Sequence, residues 1–219
     1  MSYQIAIDGP AGAGKSTVAK AVAKRLGYIY VDTGAMYRAM ALHLLRQGVD
    51  TGDAAAVSAA SRHADITISY ADGVQQVLLN GENVTGLLRT EEVGNMASVS
   101  SANPDVRAKL VELQQALAAR ENVVMDGRDI GTCVLPQADV KVYLTASAAC
   151  RAKRRYDELQ AKGESCDLAA IEEDIRERDE RDMTRAISPL CQAEDAVLVD
   201  SSDMTVEEVI EKIASLARK

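Results

Sequence analysis

The string Gly9-Pro10-Ala11-Gly12-Ala13-Gly14-Lys15-Ser16 is spaced as G-x-x-x-x-G-K-[ST]. Glycines at these positions let successive backbone N–H groups curl around a β-phosphate. The lysine can then reach the β and γ oxygens of a triphosphate, and the serine hydroxyl can coordinate Mg²⁺. This chemistry needs a strand before the loop and a helix after it, because the helix presents its positive N-terminal end to the anion. Residues 5–7 read as that strand. Residues 17–26 read as that helix, with Val18, Ala19, Val22, Ala23 and Leu26 at helical spacing and Gly27 as a stop. Gly9, Pro10, Ala11, Gly12, Ala13, Gly14, Lys15, Ser16 and Thr17 are therefore candidate ATP ligands, and Ser16 is the candidate metal ligand. A guanine-reading N-K-x-D string does not occur. The strand expected to end at Asp126 is followed by Gly127, where a hydrolase would place a Glu to polarise water.

Triphosphate chemistry without a hydrolytic base points to transfer, and transfer needs an acceptor held near the loop. In open α/β sheets, ligands bind beyond the carboxyl ends of the strands. Two polar clusters stand there: Asp32-Thr33-Gly34-Ala35-Met36-Tyr37-Arg38 and Asp126-Gly127-Arg128-Asp129. A helix starting at about residue 35 puts Arg38 in its first turn, where a cation opposes the helix dipole by about 0.3–1 kcal/mol. An anion explains such a placement better than helix stability does. Arg107 follows Asn103 as N-cap and Pro104 at the first helical position, so it too falls in an opening turn. Two readings of Arg107 stand side by side, an anion ligand and a local ion pair. Arg178, Arg181, Asp182 and Arg185 fall at i, i+3, i+4 and i+7, one stripe of a helix. Such a stripe can clamp phosphates bidentately or can be a salt-bridge-laced solvated face.

The elements that position these groups alternate. Short apolar runs at 5–7, 28–31, 122–126, 140–144 and 196–199 are separated by segments of helical period, the pattern of a parallel sheet with helices on both faces. The expected fold is therefore α/β of the P-loop NTPase type. The last helix opens on a capping box from Thr205 to Glu208 and turns Val209, Ile210, Ile213 and Leu216 inward. Two segments depart from the alternation. Residues 65–85 read as three short antiparallel strands with turns at Asp72-Gly73 and Asn80-Gly81, an insert lying within 62–100. Residues 150–189 hold seven of the sixteen arginines and read as two mobile, solvated helices, a lid on a single domain of 1–219.

The net charge of -8 argues against a broad electrostatic grip on nucleic acid or an anionic membrane, so any polyanion site must be local. Cys133, Cys150, Cys166 and Cys191 show no C-x-x-C pairing, and with only His43 and His63 beside them they read as reduced structural thiols. Residues 1–7 lack a leader pattern, and no apolar stretch reaches about 18 residues. A cytoplasmic protein is expected.

Together, the strings IDGPAGAGKST, DTGAMYR, GRDIGT at 127–132 and RERDERDMTRAISPL at 176–190 resemble the bacterial cytidylate kinases over essentially the whole chain. The first string is shared by many P-loop proteins; the other three are far more specific. The β insert is similar to the enlarged monophosphate-binding domain of that family. The resemblance implies transfer from ATP, with Mg²⁺, to CMP and dCMP by a monomer; the net charge already argues for no nucleic-acid or membrane partner. It further implies that Thr33, Arg38, Arg128, Arg178 and Arg185 bind the acceptor phosphate, that Asp182 meets the sugar hydroxyls, and that Ser98, Arg107 and Asp129 read the base. Lys15, Arg128, Arg178 and Arg185 would be the catalytic charges, with Arg154 and Arg155 in the lid over ATP. The residues by themselves leave open a kinase for another small acceptor and a nucleotide-binding module without transfer.

Overall fold

The structure, a computed structural model, describes residues 2–217. In chain order it contains β1 (Gln4–Asp8), α1 (Lys15–Leu26), β2 (Ile29–Asp32), α2 (Thr33–Arg46), α3 (Ala54–Arg62), β3 (Ile66–Ala71), β4 (Val74–Leu79) and β5 (Glu82–Asn83). There follow α4 (Glu91–Ser100), α5 (Pro104–Ala118), β6 (Val123–Gly127), a π-helical turn (Ile130–Val134), β7 (Val140–Thr145), α6 (Ala148–Ala161), α7 (Leu168–Thr184), β8 (Val197–Asp200) and α8 (Val206–Leu216). The described residues form two compact units. One is built from the chain up to Tyr30 and from Glu121 onward, and the other is Val31–Arg120.

The sheet of the first unit has the order β2-β6-β1-β7-β8, with β1 parallel to β6 and β7, and β7 parallel to β8. Ile5, Ala6 and Ile7 are all buried, as an interior strand covered on both faces requires. They pack with Val18 and Val22 of α1, Val124 of β6, Leu144 of β7, Val199 of β8 and Ile213 of α8. In register, Asp8 stands opposite Gly127 and Tyr143, so residues 9–14 and 128–131 leave the same edge of the sheet. Gly9 has φ 146°, and a β-carbon there would lie 1.9 Å from the Leu144 carbonyl oxygen, which only glycine avoids.

The second unit carries the antiparallel sheet β3-β4-β5, with Ile66 opposite Leu79. Its two turns have positive φ at both central residues, Asp72 and Gly73 in one and Asn80 and Gly81 in the other. That geometry matches strand twist, and it makes the insert readable from its turn residues. Helix α2 packs against α3, α4 and α5, with Ala41, Val93 and Ala97 at a small core.

Two expectations are corrected. Helix α2 begins at Thr33, not at about 35, because the Asp32 carboxylate accepts the Ala35 N–H at 3.0 Å and caps it there. Arg38 is therefore in the second turn, not the first. Helix α7 stops at Thr184, and Arg185 leaves it in extended backbone (φ −60°, ψ 141°), so the stripe from Arg178 does not reach Arg185 as helix. Two helices do occupy 150–189. Among the described residues, no helix is long and apolar enough to cross a membrane.

Candidate active site

In the first unit the phosphate loop has the build its spacing demands. Gly12 and Gly14 take φ 76° and 85°, and Gly14 opens α1 with no side chain capping its first N–H groups, which leaves them for an anion. Lys15 is 6% exposed, and its ammonium donates to the Pro10 carbonyl at 2.7 Å. Burial, reinforced by the positive charge of Arg128, lowers that ammonium to about 7. Ser16 Oγ donates to Asp126 Oδ2 at 3.0 Å, and the Tyr30 hydroxyl donates to Asp126 Oδ1 at 2.8 Å. A hydroxyl and a carboxylate side by side are hard oxygen ligands. They suit Mg²⁺, which takes few protein ligands and fills its octahedron with water and phosphate oxygens.

Arg128, Asp129, Asp182 and Arg185 come together in this same unit. Arg128 Nε donates to Asp182 Oδ2 at 2.9 Å. Arg185 Nη2 lies 3.8 Å from Asp129 Oδ1, and its Nε donates to the Ser188 carbonyl at 2.7 Å. Arg178 is half-buried on α7 and Arg181 is exposed. Of the lid arginines, Arg154 donates to the Ser201 carbonyl at 2.7 Å, while Arg155 forms a surface pair with Glu158 at 3.0 Å.

In the second unit Thr33 is buried at the start of α2. Arg38 sits one turn on, and its side chain runs back toward the helix start, as helical side chains do. A β-carbon at Gly34 would lie 3.1 Å from Arg38 Nη1 and 3.2 Å from Asp32 Oδ1, so glycine makes room for both. Gln75 of β4 pairs with the Asp32 backbone, accepting its N–H at 2.8 Å and donating to its carbonyl at 3.2 Å. Arg107 is 4% exposed in the first turn of α5, with its guanidinium over the Tyr37 ring at 5.7 Å. Ser98 is half-buried on α4.

Sequence reasoning passed over three side chains. Arg151 is 4% exposed and binds the Ala146 and Ala11 carbonyls at 2.9 and 3.0 Å and both oxygens of Asp179. Asp8 holds the N–H groups of Ile130 and Gly131. Tyr30 orients Asp126. Of the three, Asp8 had a signal, its place at the carboxyl end of a strand.

The fold and these groups define a P-loop phosphotransferase, a class in which catalysis is positioning and charge neutralisation. Residues 5–219 match the sequence model of the family described as Cytidylate kinase. A cytidylate kinase of Lactiplantibacillus plantarum is 51% identical over 218 residues, covering 100% of this chain and 96% of that protein. One of Caldicellulosiruptor saccharolyticus is 49% identical over 215 residues, covering 98% and 95%. A gluconokinase structure from Sinorhizobium meliloti, 16% identical, superposes with a TM-score of 0.50 over 99% of this chain and 92% of its own, a likeness of fold. The chain belongs to the cytidylate kinase family.

Proposed function

We infer that the protein transfers the γ-phosphoryl group of ATP to CMP, giving ADP and CDP, and that it accepts dCMP as well. One observation carries this reading furthest. The Arg128 guanidinium, held by Asp182 at 2.9 Å, acts on the Lys15 ammonium, so a cation of the acceptor set lies within electrostatic reach of the phosphate loop. Two phosphates that repel each other need such a neutralising set more than they need a base, since the acceptor phosphate is already largely ionised. Lys15 serves the donor β and γ oxygens. Arg128, Arg178 and Arg185 serve the acceptor phosphate, and Thr33 and Arg38 are phosphate ligands as well. Asp182 takes the sugar hydroxyls, and Ser98, Arg107 and Asp129 the base. Arg154 and Arg155 belong to the lid over ATP. Ser16, with Asp126 beside it, would hold Mg²⁺, which would supply charge neutralisation at the donor oxygens.

The insert within 62–100 and the lid of 150–189 close over the nucleotides and exclude water. The protein works as a monomer in the cytoplasm, where its four unpaired cysteines stay reduced, and takes neither nucleic acid nor membrane as partner. An ADP-release assay over a panel of acceptors tests the reaction. CMP and dCMP should outrun UMP, AMP and shikimate; ADP release with none of them would leave a binding module, and preference for another acceptor would replace the substrate.

A further inference from the structure

Asp8 closes β1 immediately before Gly9 opens the phosphate loop, and its carboxylate is 5% exposed. Oδ1 accepts the Ile130 N–H at 2.8 Å and Oδ2 accepts the Gly131 N–H at 2.7 Å. The ladder between β1 and β6 pairs Asp8 with Gly127 and ends there. The side chain thus carries on where the ladder stops, holding the main chain that has just passed through Arg128 and Asp129.

Those two residues lie in irregular backbone, Asp129 at φ −147° and ψ 27°, with a π-helical turn following. Ile130 and Gly131 are both buried, so without Asp8 two N–H groups would lack an acceptor, at about 1–3 kcal/mol each. Both diverging donors need an acceptor oxygen of their own. A carboxylate offers two; a carboxamide offers one and turns an NH₂ toward the other donor. Burial pushes the Asp8 carboxyl up to about 6, so the charge is held here against its own desolvation. Gly131 is shaped to the same end: a β-carbon there would lie 3.1 Å from Lys141 Cδ and 3.4 Å from Asp8 Oδ2.

We propose that Asp8 is a positioning residue for acceptor recognition: through the Ile130 and Gly131 amides it fixes Arg128 and Asp129 where they meet the acceptor nucleotide. The donor loop and the acceptor-reading segment then share one buried carboxylate, although they are more than a hundred residues apart in the chain. The proposal rests on the roles given to Arg128 and Asp129 above.

The test is a double-mutant cycle of Asp8→Asn with Asp129→Asn, reading KM for CMP, KM for ATP and the CMP to UMP ratio of kcat/KM. Misplacing a positioned group by about an ångström costs up to about a hundredfold. Asp8→Asn should therefore raise KM for CMP by about tenfold and lower the ratio, leaving KM for ATP within about twofold. In the Asp129→Asn background it should lower the ratio no further. Gly131→Ala, which keeps the carboxylate but sets a β-carbon 3.1 Å from Lys141 Cδ and so presses on the Gly131 amide's seat, should move the same parameters by less and stands in if Asp8→Asn does not fold. A changed melting temperature with both KM values and the ratio unmoved would make Asp8 structural only. A rise confined to KM for ATP would tie it to the phosphate loop instead. If Asp129→Asn alone leaves the ratio unmoved, the reading of Asp129 fails, separately from that of Asp8.

Discussion

Arg151 and Asp179 form a bidentate ion pair of 3.0 and 2.5 Å, and the same guanidinium donates to the Ala11 carbonyl in the phosphate loop. The pair joins the first turn of α6 to α7 and ties both to the loop. The two side chains are 5% and 17% exposed, so the attraction is little screened.

Breaking a buried pair by removing one partner costs about 3 kcal/mol. Arg151→Met should therefore lower the melting temperature by about 10 °C, given the usual entropy of unfolding for a chain of this size. Asp179→Asn should cost less, because the guanidinium keeps its two backbone carbonyls and a carboxamide oxygen. Thermal unfolding of the two variants checks the order. Equal melting temperatures in wild type and Arg151→Met would mean the pair contributes nothing to the fold.

Lys15 ties nucleotide affinity to pH. Its ammonium is lowered to about 7 by burial first and by Arg128 second, so above that pH the free protein carries a neutral amine there. A bound triphosphate stabilises the charged form and raises the pKa again. Binding at pH 8 must then take up a proton, and affinity for an ATP analogue should fall as pH rises past about 7. Calorimetry in buffers of different ionisation enthalpy measures that uptake. Lys15→Ala should abolish it together with most of kcat while leaving CMP binding nearly intact. Loss of CMP affinity in parallel with turnover would move Lys15 off the donor side.

Asp129 and Arg107 should set the preference for cytosine over uracil. Cytosine offers an N4 donor beside an N3 acceptor; uracil reverses both. Against a carboxylate and a guanidinium, uracil leaves polar groups unpaired, and sites of this kind discriminate by about 10⁴. Asp129→Asn should narrow the gap, because a carboxamide can turn its NH₂ toward O4, and Arg107→Met should narrow it by removing the donor to N3 or O2. Measurement of kcat/KM for CMP and UMP in the three proteins decides. An unchanged ratio in both variants would place base reading elsewhere.

What the amino-acid sequence determines here is local chemistry. The glycines of the phosphate loop, the turns Asp72-Gly73 and Asn80-Gly81, and the Thr205–Glu208 capping box act within a few residues, and all three stand as their residue types require. The start of α2 turned on a single side-chain bond from Asp32 to the Ala35 N–H, which helical period alone does not reveal. Tertiary structure alone decided the long-range pairings. Asp8 meets amides 122 and 123 residues away, and Arg151 meets a carbonyl 140 residues away. Strand register and loop paths bring such partners together, and neither periodicity nor spacing records them. That is why Arg154 and Arg155 entered through the family resemblance, while the arginine buried against the phosphate loop drew no attention.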